Sequence, residues 1–416
     1  MQPIRAILTS VALLLLGSGL LNTLLSLTAN DLGYPTGVIG LIMSSYFAGF
    51  TCGTFVSGRL IKRMGHIRTF AFCAAICASM VLLHTLWISA AGWMLLRFVY
   101  GLAFVTLMTV IESWLNARAA REERGKVFAV YMVVNLGGIA LAQQFLRLDN
   151  ATPDTLFAIS AILICWALLP ITITRKPQPQ VPERPRSSLR ALLGFAPAPI
   201  AGAALSGLAM GAFWGMLPLY ASRQGFATAD VGLLMSMTIV GGALLQIPIG
   251  RFSDRHDRRK ILTGVAFCAA ALAVLMPLAS GQSLLIALFF FWGGMAFSLY
   301  PLSVAQLLDQ LHPDEVISGT TTMLVLHGAG AALAPMLAGG AMDLLGLDGL
   351  PLYIALVLTA LGGFTLYQVR RVSVLRMGEQ AHFEPMVPTS HEVLEMIEKD
   401  AEKEPGTEAG SEGEAR

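Results

Sequence analysis

The chain has 416 residues, of which 55% are hydrophobic and only 13% charged, with a formal net charge of +2. A soluble domain carries roughly 25% charged residues, so an ordinary water-facing globular composition is excluded. A transmembrane β-barrel is excluded too, because its strands are alternating segments of roughly 10 residues and the apolar runs here are much longer.

Crossing a hydrocarbon core as a helix takes roughly 20 apolar residues. The first run, RAILTSVALLLLGSGLLNTLLSLTAN, has Arg5 ahead of it as a signal peptide would. It is too long, has no small-residue cleavage site and is followed by further spans, so it is expected to remain as a membrane helix. Read in chain order, the spans fall at about 5–28, 37–59, 68–88, 92–116, 126–147, 155–174, 198–221, 229–250, 261–280, 283–308, 316–342 and 350–370. The cysteines Cys52, Cys73, Cys77, Cys165 and Cys268 lie inside these runs without metal-site spacing, and read as small apolar residues.

Between the sixth and seventh spans, RKPQPQVPERPRSSLRALLGFAP is Pro-rich and basic. It reads as an extended linker followed by a short surface helix. The expected organisation is an all-α membrane protein of twelve transmembrane helices. It comprises a six-helix bundle over residues 1–174, a cytoplasmic linker over 175–197, a second six-helix bundle over 198–371 and an acidic tail over 372–416. With the N-terminus inside, Arg5, Arg59, Lys62, Arg63, Arg68, the linker cations, Arg251, Arg255, Arg258, Arg259, Lys260 and Arg370 fall on the cytoplasmic side. Only Arg147 and Arg223 fall outside. Cytoplasmic loops hold such an excess. Both termini are therefore expected in the cytoplasm, in a multi-pass protein of a bacterial inner membrane.

The tail after Arg376 holds 11 acids and three bases. Within it, TSHEVLEMIEKDAEK has the pattern of an amphipathic helix, with Thr389 and Glu392 at capping-box spacing. The segment EPGTEAGSEGEAR has a disordered composition. The tail carries little apolar surface and is expected to be dispensable for folding.

Residues 39–68 and 231–260 align without a gap at an offset of 192. Gly40/Gly232, Ser44/Ser236, Gly49/Gly241, Gly58/Gly250, Arg59/Arg251 and Arg63/Arg255 match. Each copy runs through the second helix of its half into a basic loop. Parallel six-helix repeats of this kind are a transporter plan.

The loops GRLIKRMGHIR and GRFSDRHDRRK resemble the major-facilitator signature G-x-L-x-D-R-x-G-R-K, and RFVYG in the fourth span resembles its R-x-x-x-G element. The fragments WGMLPLY, QIPIGRFSD and FSLYPLSVA look like the YcaD-like branch of that superfamily. The resemblance covers nearly all of residues 1–371 and implies a secondary transporter working by alternating access. It also implies that Gly58, Arg59, Lys62, Arg63, Gly65, Gly250, Arg251, Asp254 and Arg255 belong to the gating loops. Two positions depart from the pattern: Lys62 stands where the first loop should have aspartate, and Asp257 where the second should have glycine. In the family the signature aspartate meets the N-terminal end of a helix from the opposite half. Here Asp314 and Glu315 precede the eleventh helix, so Lys62 either pairs with them or faces lipid phosphates. Asp254 is expected beside the start of the fifth helix.

Ionisable residues inside spans are costly and are candidates for function. Arg97 is read either as a fixed cation facing a central cavity or as a snorkelling arginine. The matching position in the second half is Phe289 or Phe290. Glu112 either clamps Arg59 and Arg63 or carries a coupling proton, and Asp309 is expected to clamp Arg251 or Arg255. His327, halfway across the eleventh span, is read as a proton-coupling group or a neutral hydrogen-bonded one, and His84 as interfacial. Asn22, Tyr46, Asn135, Gln143, Tyr220, Gln246 and Tyr300 are candidates to face a solute.

No phosphate-binding G-x-x-x-x-G-K-[ST] motif is present, so an ion gradient, by default protons, is the expected energy source. No catalytic set, metal site, cofactor or nucleic-acid partner is expected. The expected partners are a small organic solute, the coupling proton and the lipid bilayer, for a monomeric exporter. A membrane sensor or an intramembrane enzyme is the alternative. The first would need a folded soluble domain, the second a nucleophile–base pair or a metal set.

Overall fold

The computed structural model describes residues 2–118, 124–148, 151–172, 196–311, 316–371, 383 and 385–389. Among them are twelve helices long and apolar enough to cross a membrane, as the spacing predicts. They are α1 (Gln2–Asp31), α2 (Thr36–Met64), α3 (His66–Leu86), α4 (Ala90–Arg118), α5 (Arg124–Ala142), α6 (Pro153–Trp166), α7 (Pro197–Arg223), α8 (Thr228–Ser253), α9 (Arg258–Leu275), α10 (Gln282–Leu308), α11 (Val316–Leu345) and α12 (Gly349–Arg371). A 3-10 turn, Gln143–Arg147, extends α5, and a short helix, Leu168–Thr172, extends α6. An all-helical solution is what a bilayer requires, since hydrocarbon offers no partner to an open strand edge.

The helices form two six-helix halves. In each, the second and fourth helices pack closely, α2 with α4 and α8 with α10. The reason lies in glycine. A Cβ on Gly49 would sit inside the van der Waals shell of the Phe98 carbonyl, and one on Gly241 inside that of the Phe290 carbonyl. Gly101 meets the Tyr46 carbonyl and Gly293 the Thr238 carbonyl in the same way. All four glycine contacts repeat at the offset of 192, which carries the repeat beyond the stretch that sequence alone aligns. The turns after α1 and α7 repeat too, with Gly33 and Gly225 at φ +75 and +84.

Between the halves, α2 packs on α11 and α5 on α8. Pro218, Pro248, Pro301 and Pro335 interrupt α7, α8, α10 and α11. Large exposed apolar side chains such as Leu86, Leu344 and Leu356 lie on the outside, where lipid is their solvent. His84, expected at an interface, is instead buried, with Nδ1 2.6 Å from the Met80 carbonyl and its ring between Trp93 and Phe157. Packing inside the first half puts it there.

The glycine contacts generate a test. Gly49→Ala and Gly241→Ala are each expected to lower stability by about 1–3 kcal/mol through overpacking, seen as a fall in the thermal midpoint of the purified protein in detergent. Gly264, with nothing within 4 Å of an added Cβ, is the control, and Gly264→Ala should leave the midpoint unchanged or raised.

Candidate functional site

The two halves enclose a cavity lined by α1, α2, α4, α5, α7, α10 and α11. The empty space within it, counting the part open to solvent, is about 1200 Å³. Its wall is mainly apolar, with Phe47, Phe50, Phe104, Met210, Trp214 and Phe297 prominent.

The end of the cavity away from the two basic loops is shut by bonds between the halves. Ser26 donates to the Gly215 carbonyl, the Met336 N–H to Ser44, and the Gly37 N–H to Asp343. Arg223 reaches Asn30 at 3.0 Å and Thr36 at 2.6 Å. Gln144 donates to Ser236, which donates to the Ala140 carbonyl. These residues come from the ends of α1, α5, α7 and α11 and the starts of α2 and α8, which converge at that end.

Arg97 is fully buried. Its Nη2 donates to Asn22 Oδ1 at 2.8 Å, and its guanidinium lies 4.5 Å from the Tyr46 ring centre and 5.8 Å from that of Tyr100. Among the described residues its Nε and Nη1 have no hydrogen-bond partner. Aromatic faces and an amide are the neighbours of this cation, and among the described residues no carboxylate pairs with it. Snorkelling is not what the side chain does. Asn22 and Tyr46 line the cavity and screen Arg97 from it. At the equivalent position Phe289 is buried against Tyr220 and Trp292, so the two halves differ electrically as expected.

On the opposite wall, His327 lines the cavity with Nδ1 3.1 Å from Ser206 Oγ and its ring 4.7 Å from that of Tyr300. The buried Tyr300 hydroxyl has no partner. Asn135 also lines the cavity, donating to the Tyr131 hydroxyl at 3.5 Å, and its Oδ1 is unsatisfied. Three candidates lie elsewhere. Gln143 is taken up by Thr23 and two backbone carbonyls, Tyr220 accepts from Gln224, and Gln246 donates to the Phe297 carbonyl.

Towards the basic end, Glu112 is fully buried and accepts from the Tyr131 and Thr389 hydroxyls, both at 2.5 Å. The expected clamp on Arg59 and Arg63 is absent: both arginines are on the exposed face of α2. Glu112 follows Arg97 by 15 residues, about four turns at 3.6 residues per turn, so it returns to the inner face of α4. Tyr131 was missed because a tyrosine in an apolar run carries no signal of its own. Thr389 lies within FEPMVPT, an apolar island in an acidic tail, and that island was a signal available in the sequence.

The second basic loop is built on Arg258, which is buried. It binds both oxygens of Asp309 at 2.9 and 3.0 Å, the Ala305 carbonyl at 3.1 Å and Asp254 at 2.7 Å. Asp309 therefore holds Arg258, not Arg251 or Arg255, which are exposed. Asp254 is engaged by Arg258 and by the Phe383 N–H at 3.0 Å, not by the start of α5. At the offset of 192 the pair Asp254 and Arg258 becomes Lys62 and His66. The acid and its guanidinium are replaced together, and His66 instead meets Ser113 and stacks on Trp114. Gly65 has φ +78 at the joint of α2 and α3, whereas its counterpart Asp257 has φ −59 and caps α9 through the Arg259 N–H. Glycine is needed at the first joint only. Asp314 and Glu315, the expected partners of Lys62, and the residues expected to form the tail helix after Thr389 lie outside the described residues.

The family is shown by sequence, and solved structures share the fold. The model of the Major Facilitator Superfamily matches residues 7–227 and 199–385. The chain is 29% identical over 348 residues to the uncharacterized MFS-type transporter YcaD of Salmonella newport (strain SL254), covering 82% of this chain and 89% of the relative. The YcaD of Escherichia fergusonii is 29% identical over 339 residues, covering 80% and 87%. Among solved structures, the nucleoside transporter NupG superposes with a TM-score of 0.70 at 17% identity, covering 89% of this chain and 100% of that one. A bacterial homologue of the human lysosomal transporter Spinster, in an inward-facing and occupied conformation, superposes with a TM-score of 0.72 at 13% identity, covering 92% and 98%. The chain belongs to the major facilitator superfamily, and is a multi-pass membrane transporter.

Proposed function

We propose that this transporter moves a small, mainly apolar organic solute with an anionic or acceptor group, by alternating access around the cavity between its halves. The observation that carries this reading is Arg97: a fully buried cation with two unpartnered nitrogens, one layer behind a mainly apolar cavity wall. A buried charge without a counter-ion is costly, and a solute acceptor group at Asn22 and Tyr46 would be stabilised by its field. Apolar surface supplies the remaining affinity. The candidates whose side chains meet that cavity are Asn22, Tyr46, Asn135, Tyr300 and His327. The excess of lysine and arginine at the basic end supports a cytoplasmic position for it in a bacterial inner membrane. The protein acts as a monomer, since the cavity is complete within one chain.

Coupling is assigned to protons. His327 lines the cavity from α11 against the neutral Ser206 and Tyr300, so a proton taken up there changes the charge of the wall facing the solute. The direction proposed is export, driven by protons entering. Reconstitution in proteoliposomes with a panel of organic acids and hydrophobic drugs tests the whole reading. Solute-dependent proton flux under an imposed gradient supports it, and its absence across the panel counts against it.

Two variants separate function from packing. Arg97→Met is expected to keep or raise the thermal midpoint, because removing an unpaired buried charge in favour of an apolar group is neutral or stabilising. Transport should fall by about tenfold or more, the equivalent of about 1.4 kcal/mol in the transport barrier. Wild-type rates in this variant would remove Arg97 from the mechanism. His327→Gln is expected to retain solute-induced thermal stabilisation while proton movement, read with an internal pH dye, no longer follows the solute. Unchanged proton movement would exclude His327 as the coupling group.

A further inference from the structure

At the basic end of the cavity stands the segment Phe383–Thr389, whose Met386, Val387, Pro388 and Thr389 form part of the cavity wall. Its side chains are placed as those of a fitted element. Phe383 is buried, its ring filling the space left by the missing side chain of Gly250 on α8. Its N–H donates to Asp254 at 3.0 Å. Met386 is buried, and its carbonyl accepts from Gln246 of α8 at 3.4 Å. Thr389 then donates to Glu112 on α4. The segment is thus tied to α8 in one half and to α4 in the other.

Its composition suits that position. Proline fixes φ and has no N–H, so Pro385 and Pro388 favour an extended chain and remove two donors that would be hard to satisfy against an apolar wall. Met386, Val387 and Pro388, which join the wall, are apolar, in a tail that is otherwise rich in acids. Gly250 and Asp254, which the segment uses as its seat, belong to the second signature loop.

We propose that Phe383–Thr389 is an autoinhibitory plug: a resident occupant of the cavity mouth that must leave before a solute can enter from the basic end. Its seat is a peptide-binding site formed by Gln246 and Gly250 of α8, Asp254 just beyond it and Glu112 of α4, selective for a Phe-x-Pro-x-x-Pro-Thr segment. Because the plug bonds to both halves, it also resists their relative movement at that end. The proposal uses the transport reading only in taking the cavity for the solute's path. Its test needs no solute, so its failure leaves that reading standing.

The test reads access to the cavity. In a chain whose five cysteines are replaced by serine, Met108→Cys places a thiol on the cavity wall of α4. The rate of labelling by a membrane-impermeant fluorescent maleimide is measured in detergent and in inside-out vesicles. With the intact tail labelling is slow. Truncation after Arg376 is expected to raise the rate about tenfold or more, since the reactive population is then no longer limited by the fraction of unplugged molecules. A synthetic peptide spanning residues 380–392 should restore protection, and a scrambled one should not. Thr389→Glu, which sets a longer acid against Glu112, should label like the truncated chain, while Thr389→Ser, which keeps the hydroxyl, should label like the intact one. Neither substitution touches a membrane helix, so both report even if the truncated chain folds poorly. Ser26→Cys, buried at the sealed end, must stay slow in every variant, which distinguishes unplugging from general loosening. Equal labelling of Met108→Cys in intact, truncated and Thr389→Glu chains overturns the proposal, as does acceleration of Ser26→Cys in parallel.

Discussion

A polypeptide in hydrocarbon has no water to bond, so its backbone must satisfy itself, and here it does so in twelve helices. Lipid tails are as apolar as leucine, so burying leucine does not hold those helices together. Close approach of backbones does. The tightest approaches are the glycine–carbonyl contacts of α2 with α4 and of α8 with α10. They make each half a stiff body. Movement is then concentrated in the surface between the halves, which is bridged by hydrogen bonds each worth about 1 kcal/mol. That surface is where the cavity lies.

The duplicated scaffold carries different chemistry in its two copies. Arg97 answers to Phe289, Glu112 to Val304, Lys62 to Asp254 and His66 to Arg258. The second half concentrates its charge in a buried cluster at the basic end, where Arg258 is balanced by Asp254 and Asp309. The first half places a cation without a counter-ion next to the cavity and a carboxylate among hydroxyls nearer the mouth. The contrast has an energetic reading. A balanced buried cluster costs the fold heavily if one member is removed, whereas an unbalanced charge is a standing cost that a ligand relieves. The first arrangement is expected of a hinge or anchor, the second of a binding wall.

The two ends of the cavity are closed by different means. One end is closed by helix ends meeting directly, with arginine and serine side chains bridging the halves. At the other end a short segment, Phe383–Thr389, stands between the halves. A segment that must satisfy its backbone against helices has few partners, and this one uses a glutamine, an aspartate and two prolines to leave little unsatisfied. The same shortage of donors and acceptors that shapes the helices thus also shapes what can sit in the mouth.

Much of the architecture was legible in the sequence because the signals are long and repeated. Twenty-residue apolar runs, a 30-residue repeat at an offset of 192 and two signature loops each carry many residues of agreement; the Pro-rich linker lies outside the described residues. Arg97 was legible as a candidate because a cation inside a span is rare. Its surroundings were not, since Asn22, Tyr46 and Tyr100 come from three helices and meet only when α1, α2 and α4 pack. For the same reason Asp309 was assigned to the wrong arginine. Spacing along a chain gives the level of a residue in the membrane but not the face of a neighbouring helix it will meet. Glu112 was placed at the right depth, but which hydroxyls surround it depends on the rotation of α4 against α5. The tail was read by composition as a solvated appendage. Only the tertiary structure brings Phe383 to the gap at Gly250 and Thr389 to Glu112, because a seven-residue segment finds its place through surfaces supplied by helices more than a hundred residues away.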